Sequence, residues 1–91
     1  MAELLRKVMV ELQELSVSIL VPDDYYYVSV DQSGAIYAYE LVPEYNECEG
    51  YWERSYGDGY LTCGETYLGM VSFESNKERE LCKQKVWKVG E

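Results

Sequence analysis

Seventeen carboxylates and no histidine set the limits on the chemistry this chain can perform. Without imidazole there is no Ser-His-Asp triad, no Cys–His pair and no zinc site that needs a histidine ligand. Carboxylate chemistry is what is left: two acids in one cleft can support hydrolysis, and several in one loop can bind a hard cation. Asp23 and Asp24 are adjacent, so on an extended segment their side chains point apart. Glu44, Glu47 and Glu49 can converge in a loop and collect Ca2+ or Mg2+. Asp31-Gln32-Ser33-Gly34, by contrast, departs from an EF-hand loop after its first position and lacks the closing glutamate. Acids spaced in this way are most simply solvated, and the sequence predicts no metal, no cofactor and no enzymatic activity.

The remaining reactive side chains point the same way. Cys48, Cys63 and Cys82 are odd in number, widely spaced and free of any C-x-x-C pair. A Cys48–Cys63 bridge across a hairpin fits the spacing, and so do three reduced thiols, which an intracellular setting favours. Gly57, Gly59 and Gly64 fall between short strand-like runs rather than at a strand-to-helix turn, so neither a phosphate-binding loop nor a dinucleotide fingerprint is present. The opening stretch is broken by Glu3, Arg6, Lys7, Glu11 and Glu14, unlike a secretory signal. No apolar run approaches the roughly 20 residues of a membrane span. A cytoplasmic protein without membrane contact is the expectation.

Charge is the most informative feature. The formal net charge of −9 is concentrated: residues 22–76 hold eleven acids against the single base Arg54, and all ten tyrosines lie there too. Residues 77–91 hold five bases against three acids. A nucleic-acid binder tracks the phosphate backbone with lysine and arginine, so this acidic centre argues against direct nucleic-acid binding. It suits the opposite role. Carboxylates can occupy a basic surface that normally receives phosphates, with tyrosines as rigid contact area beside them.

Ninety-one residues, 47% of them hydrophobic, make one α+β domain. The predicted architecture is a small antiparallel β-sheet of about four to six hairpin strands, packed by an N-terminal helix and a short C-terminal helix. Leu5, Val8, Met9, Leu12 and Leu15 recur at three- and four-residue steps, which predicts a helix over 1–16. Val17 to Val21 reads as a strand closed by Pro22. Tyr25–Val30 and Ala35–Leu41 flank Asp31-Gln32-Ser33-Gly34 as a hairpin, with Val28, Val30, Ile36 and Ala38 on the core side and partly exposed tyrosines on the other. Pro43–Gly50 reads as an acidic loop. A second hairpin is predicted from Tyr51–Ser55 and Tyr60–Cys63 about Tyr56-Gly57-Asp58-Gly59, then a strand within Thr66–Phe73. Ser75-Asn76-Lys77-Glu78 has the capping-box pattern, so a helix follows it. Val86–Val89 either finishes that helix or forms a closing strand.

Val21-Pro22-Asp23-Asp24-Tyr25, the run Val28 to Glu40, Pro43-Glu44, Gly50-Tyr51-Trp52, the arm Tyr60–Gly64 and the late Trp87 together resemble small tailed-phage and prophage accessory proteins. The resemblance covers residues 21–64. It implies a phage-encoded protein made inside a bacterial host, in a group whose small acidic members often inhibit nucleases, restriction enzymes or CRISPR effectors. The expected partner is therefore a host or defence protein with a basic surface. The residues selected for that contact are Asp23, Asp24, Glu40, Glu44, Glu47, Glu49, Glu53 and Asp58, with Tyr25, Tyr37, Tyr39 and Tyr51 as anchors. A homodimer or phage assembly component built through a sheet edge or the tyrosine face is the alternative, and a carboxylate-based hydrolase comes last.

Overall fold

The computed structural model describes residues 7–22, 24–53 and 64–89. Its first element corrects the predicted N-terminal helix. Lys7–Leu12 is a strand, β1, followed by a 3-10 turn at Gln13–Leu15 and a second strand, β2, at Val17–Pro22. The two pair antiparallel, with Val10 opposite Ile19 and Leu12 opposite Val17. The residues at stake are Met9 and Val10. A helix would bury Met9 in its apolar stripe, whereas the alternation of a strand leaves Met9 60% exposed and takes Val10 to 7%. A β-branched partner strand a few residues downstream lets Val8, Val10 and Leu12 share one buried face, and this packing outweighs helical periodicity.

The predicted central hairpin is present as β3 (Tyr27–Val30) and β4 (Ala35–Tyr39), with Val28 opposite Ala38 and Val30 opposite Ile36. Asp31–Gly34 turns the chain through a Gly34 N–H to Asp31 carbonyl bond of 2.8 Å. Gly34 has φ of 96°, and a Cβ there would run into the Val71 backbone carbonyl. The acidic stretch Pro43–Gly50, predicted as a loop, is a hairpin instead. Glu44–Asn46 (β5) pairs with Tyr51–Glu53 (β6), closed by Gly50 N–H donating to the Asn46 carbonyl at 2.8 Å. Of the strand predicted over 51–55, the described part, Tyr51–Glu53, pairs backward with β5, and the rest of it, with its expected partner Tyr60–Cys63, lies outside the described residues.

Glu65–Met70 (β7) lies beside β4, with a register shift where Ile36 faces Gly69 and Tyr37 faces Tyr67. The predicted helix start is formed: Ser75 Oγ accepts from the Glu78 amide, and the Glu78 carboxylate accepts from the amide of Glu74, one residue ahead of the cap, starting α1 (Asn76–Cys82). The last segment is a closing strand, β8 (Trp87–Lys88), beside β3. The central sheet thus runs β7-β4-β3-β8, flanked by the β1–β2 and β5–β6 hairpins. Eight strands in three sheets exceed the four to six predicted for one sheet; the α+β class, with one short helix, holds among the described residues.

One face of the central sheet carries the main core. Val28, Val30, Ile36, Ala38 and Trp87 meet Val10, Leu12, Leu15 and Val21 from the β1–β2 hairpin and Cys82 from α1. Each fully buried aliphatic side chain contributes about 1.5–3 kcal/mol. Glu14 fastens the hairpin to the far end of the chain, accepting from Trp87 Nε1 at 3.1 Å and pairing with Lys85 at 3.3 Å. Its carboxyl is held below the usual range by its own backbone hydrogen bond, by Trp87 and by Lys85.

Candidate functional site

The opposite face of the central sheet is aromatic. Tyr37 and Tyr39 project from β4, with Ser29 of β3 across from Tyr37 and Tyr67 of β7 on its other side. The rings of Tyr37 and Tyr67 meet edge to face at 5.5 Å, and those of Tyr37 and Tyr39 lie 6.4 Å apart. The acidic β5–β6 hairpin is fixed over this face mainly by Trp52. Its amide donates to Asp31 Oδ1 at 2.9 Å, its carbonyl accepts from the Tyr39 hydroxyl at 3.2 Å, and its indole donates to the Cys82 carbonyl at 3.0 Å. Tyr45 packs edge to face on the indole at 5.2 Å, and Gln32 N–H donates to the Gly50 carbonyl at 3.1 Å.

Between the hairpin and the sheet runs an open cleft of about 900 Å³. Carboxylates of Asp31, Glu49, Glu53 and Glu65 line it, along with the rings of Tyr37, Tyr39 and Tyr51. Arg79 of α1 is the only base among the described lining residues. The acids act on one another and on the phenols. Burial raises the Asp31 carboxyl, the Trp52 amide opposes this, and Glu65 raises it further. Tyr51 is held above the ordinary phenol value by desolvation and then by Glu53, Glu49 and Asp31. Tyr39 is raised most, chiefly by burial and also by Asp31, Glu65 and Tyr37. Ser29, fully buried beside the ring, counters part of this. Among the described residues no three carboxylates or thiols converge to hold a metal ion.

The selected residues fall into separate places. Tyr37, Glu49, Tyr51 and Glu53 come together in the cleft. Tyr39 lines it as well but is only 1% exposed, with its hydroxyl engaged by Trp52, so it is a structural ring rather than the partly exposed anchor predicted. The β5–β6 hairpin packs over the face expected to be open. Glu44 and Glu47 are exposed on that hairpin but do not line the cleft; Glu44 faces Glu53 across the strands, where Asn46 donates to Glu53 at 2.8 Å. Asp24, Tyr25 and Glu40 form a separate group beyond the open end of the β3–β4 hairpin, where burial and then the charges of Asp24 and Glu40 raise the Tyr25 hydroxyl. Asp23 and Asp58 lie outside the described residues. Cys48 is exposed and Cys82 buried, its thiol pushed up to about 11 by burial, Glu78 and Glu14; Cys63 lies outside the described residues.

Asp31, Trp52, Glu65 and Arg79 are among the cleft residues that the sequence did not select for the contact, as are Gln32, Ser33 and Gly50. Asp31 reads as turn grammar, Trp52 lies between two selected residues as an apolar ring, and Glu65 and Arg79 come from segments farther along the chain. No protein-family model, curated protein or solved structure matches this chain.

Proposed function

We propose that this protein is a non-catalytic binding protein, acting as an inhibitor, that receives a basic segment of a host or defence protein in the acidic, tyrosine-walled cleft. The observation that carries the reading is the lining itself: among the described residues it sets four carboxylates, Glu65 among them with a further contact of its own, beside one base, with tyrosine rings on the same walls. A fold that gathers like charges beside aromatic faces stores an electrostatic cost that a cationic partner relieves. The exposed acids Glu44 and Glu47 on the adjoining hairpin extend the negative field and steer a basic surface toward the cleft. The resemblance of residues 21–64 to phage accessory proteins supplies the setting, a bacterial cytoplasm, and the partner class, a nuclease or CRISPR effector whose basic surface otherwise holds nucleic acid. The test is affinity capture from bacterial lysate at low and moderate salt, using the parent and a Glu49→Gln/Glu53→Gln variant. Basic, nucleic-acid-binding proteins are captured by the parent at low salt and lost with either change. Capture indifferent to both salt and the double substitution contradicts the reading.

A second reading, self-association, is favoured by β7. Among the described residues it ends the central sheet's strand order, and its Tyr67 and Met70 are 54% and 62% exposed. Light scattering across a concentration series separates the two, because a concentration-independent monomer removes the homodimer.

A further inference from the structure

We propose that the β5–β6 hairpin is a flap, pinned to the central sheet by Trp52, that opens and closes while the main core stays packed. That core lies on the other face of the sheet. Its buried residues come from β1 to β4, the 3-10 turn, α1 and β8, and among the described residues none comes from β5 or β6. Undocking the hairpin therefore opens no cavity in the cluster. A segment that shares few apolar contacts with the core is where a fold opens locally, at a cost below that of global unfolding.

The hairpin is largely self-contained. Tyr45 and Trp52 pack edge to face at 5.2 Å, Asn46 donates to Glu53 at 2.8 Å, and the Asn46 side chain accepts from the Glu49 amide at 3.0 Å. Its attachment runs through Trp52, 8% exposed, which bonds three separate elements: Asp31 in the β3–β4 turn, Tyr39 on β4 and the Cys82 carbonyl at the end of α1. The Gln32 amide adds a bond to the Gly50 carbonyl. Strands of three residues do not persist alone, so pairing within the hairpin and docking on the sheet form and break together. The flap also sets the cleft. Glu49, Tyr51 and Glu53 travel with it, whereas Asp31, Tyr37, Tyr39 and Glu65 stay with the sheet. Opening frees the Tyr39 hydroxyl, and Trp52 thereby controls access to whatever space the two walls enclose.

Native-state hydrogen exchange of the full chain, followed by NMR across a series of low urea concentrations, tests the flap. The amides of Gln32, Gly50 and Trp52 and the Trp52 indole N–H exchange through one shared opening. They are at least about a hundredfold less protected than the amides bonded between β3 and β4. Their exchange hardly responds to urea, because little surface is exposed, whereas that of the β3–β4 amides rises steeply. Ile36→Val weakens the core on the far face and speeds β3–β4 exchange about fivefold while leaving the flap amides unchanged. Trp52→Phe keeps a ring but loses the bond to the Cys82 carbonyl, and speeds exchange of the flap amides about tenfold. Flap amides that respond to urea and to Ile36→Val as strongly as the β3–β4 amides make the hairpin part of the global unit and overturn the proposal. Flap exchange unchanged by Trp52→Phe overturns Trp52 as the pin. No partner enters these measurements, so the flap and the binding role fail separately.

Discussion

Asp31 joins two functions that substitution can separate: its oxygen holds the β5–β6 hairpin, and its charge belongs to the cleft. Asp31→Ala removes the acceptor of the Trp52 amide, now bonded at 2.9 Å in a part-buried position. Stranding that donor costs about 1–3 kcal/mol. With a urea m value of roughly 1–3 kcal/mol/M for a small domain, the unfolding midpoint falls by about 1 M. Asp31→Asn keeps a carbonyl oxygen in place but removes the charge. Burial and Glu65 raise the Asp31 carboxyl above its ordinary value of 3.8, outweighing the Trp52 amide, so the folded state holds this proton more readily than the unfolded chain. The stability contributed is fully present below the unfolded value and is lost as pH rises through the folded one. At neutral pH the charged carboxylate is therefore a liability that asparagine lacks. Asp31→Asn is expected to be at least as stable as the parent there, and to lose its advantage below a pH of about 4. Urea unfolding followed by tryptophan fluorescence at both pH values measures this. If Asp31→Asn is as destabilising at neutral pH as Asp31→Ala, the charge itself holds the hairpin and the electrostatic reasoning fails.

Three further outcomes follow from the same geometry. Tyr39→Phe loses the 3.2 Å bond to the Trp52 carbonyl and about 1 kcal/mol at neutral pH. Because burial holds the Tyr39 hydroxyl above its ordinary value of 10.0, the folded state keeps a proton that the unfolded chain releases. The parent therefore loses stability as pH rises past that value, and Tyr39→Phe loses less, as thermal unfolding across an alkaline series will show. Iodoacetamide labels exposed Cys48 under native conditions, whereas buried Cys82, its thiol near 11, is labelled only on unfolding; site-resolved mass spectrometry reads both. Gly34→Ala forces a Cβ against the Val71 carbonyl at a φ of 96° and costs more than about 1 kcal/mol in chemical denaturation, because backbone cannot move aside as a flexible side chain can.

The parts of the fold readable from sequence are those whose signals are local. Val28, Val30, Ile36 and Ala38 alternate around a four-residue turn ending in glycine, and they form the buried face of β3 and β4. Ser75 and Glu78 start α1 through contacts three and four residues apart. The N-terminal segment misleads because Val8 and Leu12 satisfy a helical and a strand period alike; only the trade of Met9 for Val10 distinguishes them, and the pairing partner β2 decides it. The acidic hairpin is unreadable for another reason. Its strands are three residues each, too short for a periodic signal, and Trp52 docks them through bonds to residues 21 and 30 positions away. Composition brings Glu49, Glu53, Tyr37 and Tyr51 into consideration. It gives no means of separating them from Asp24 and Glu40, which sit elsewhere, or of adding Glu65 and Arg79, which long-range pairing brings to the same walls.

The central claim is that the cleft between β4 and the β5–β6 hairpin, rather than the acidic surface at large, receives a basic segment. Amide shift mapping of the full chain with a short peptide containing both arginine and lysine tests it without prejudging which side chain is preferred. The account predicts shifts at Tyr37, Glu49, Tyr51, Trp52 and Glu65 that fade as salt is raised, with Asp24 and Glu40 unmoved. Shifts confined to Asp24, Tyr25 and Glu40 or to Glu44 and Glu47, or shifts spread evenly over all the acids, contradict it.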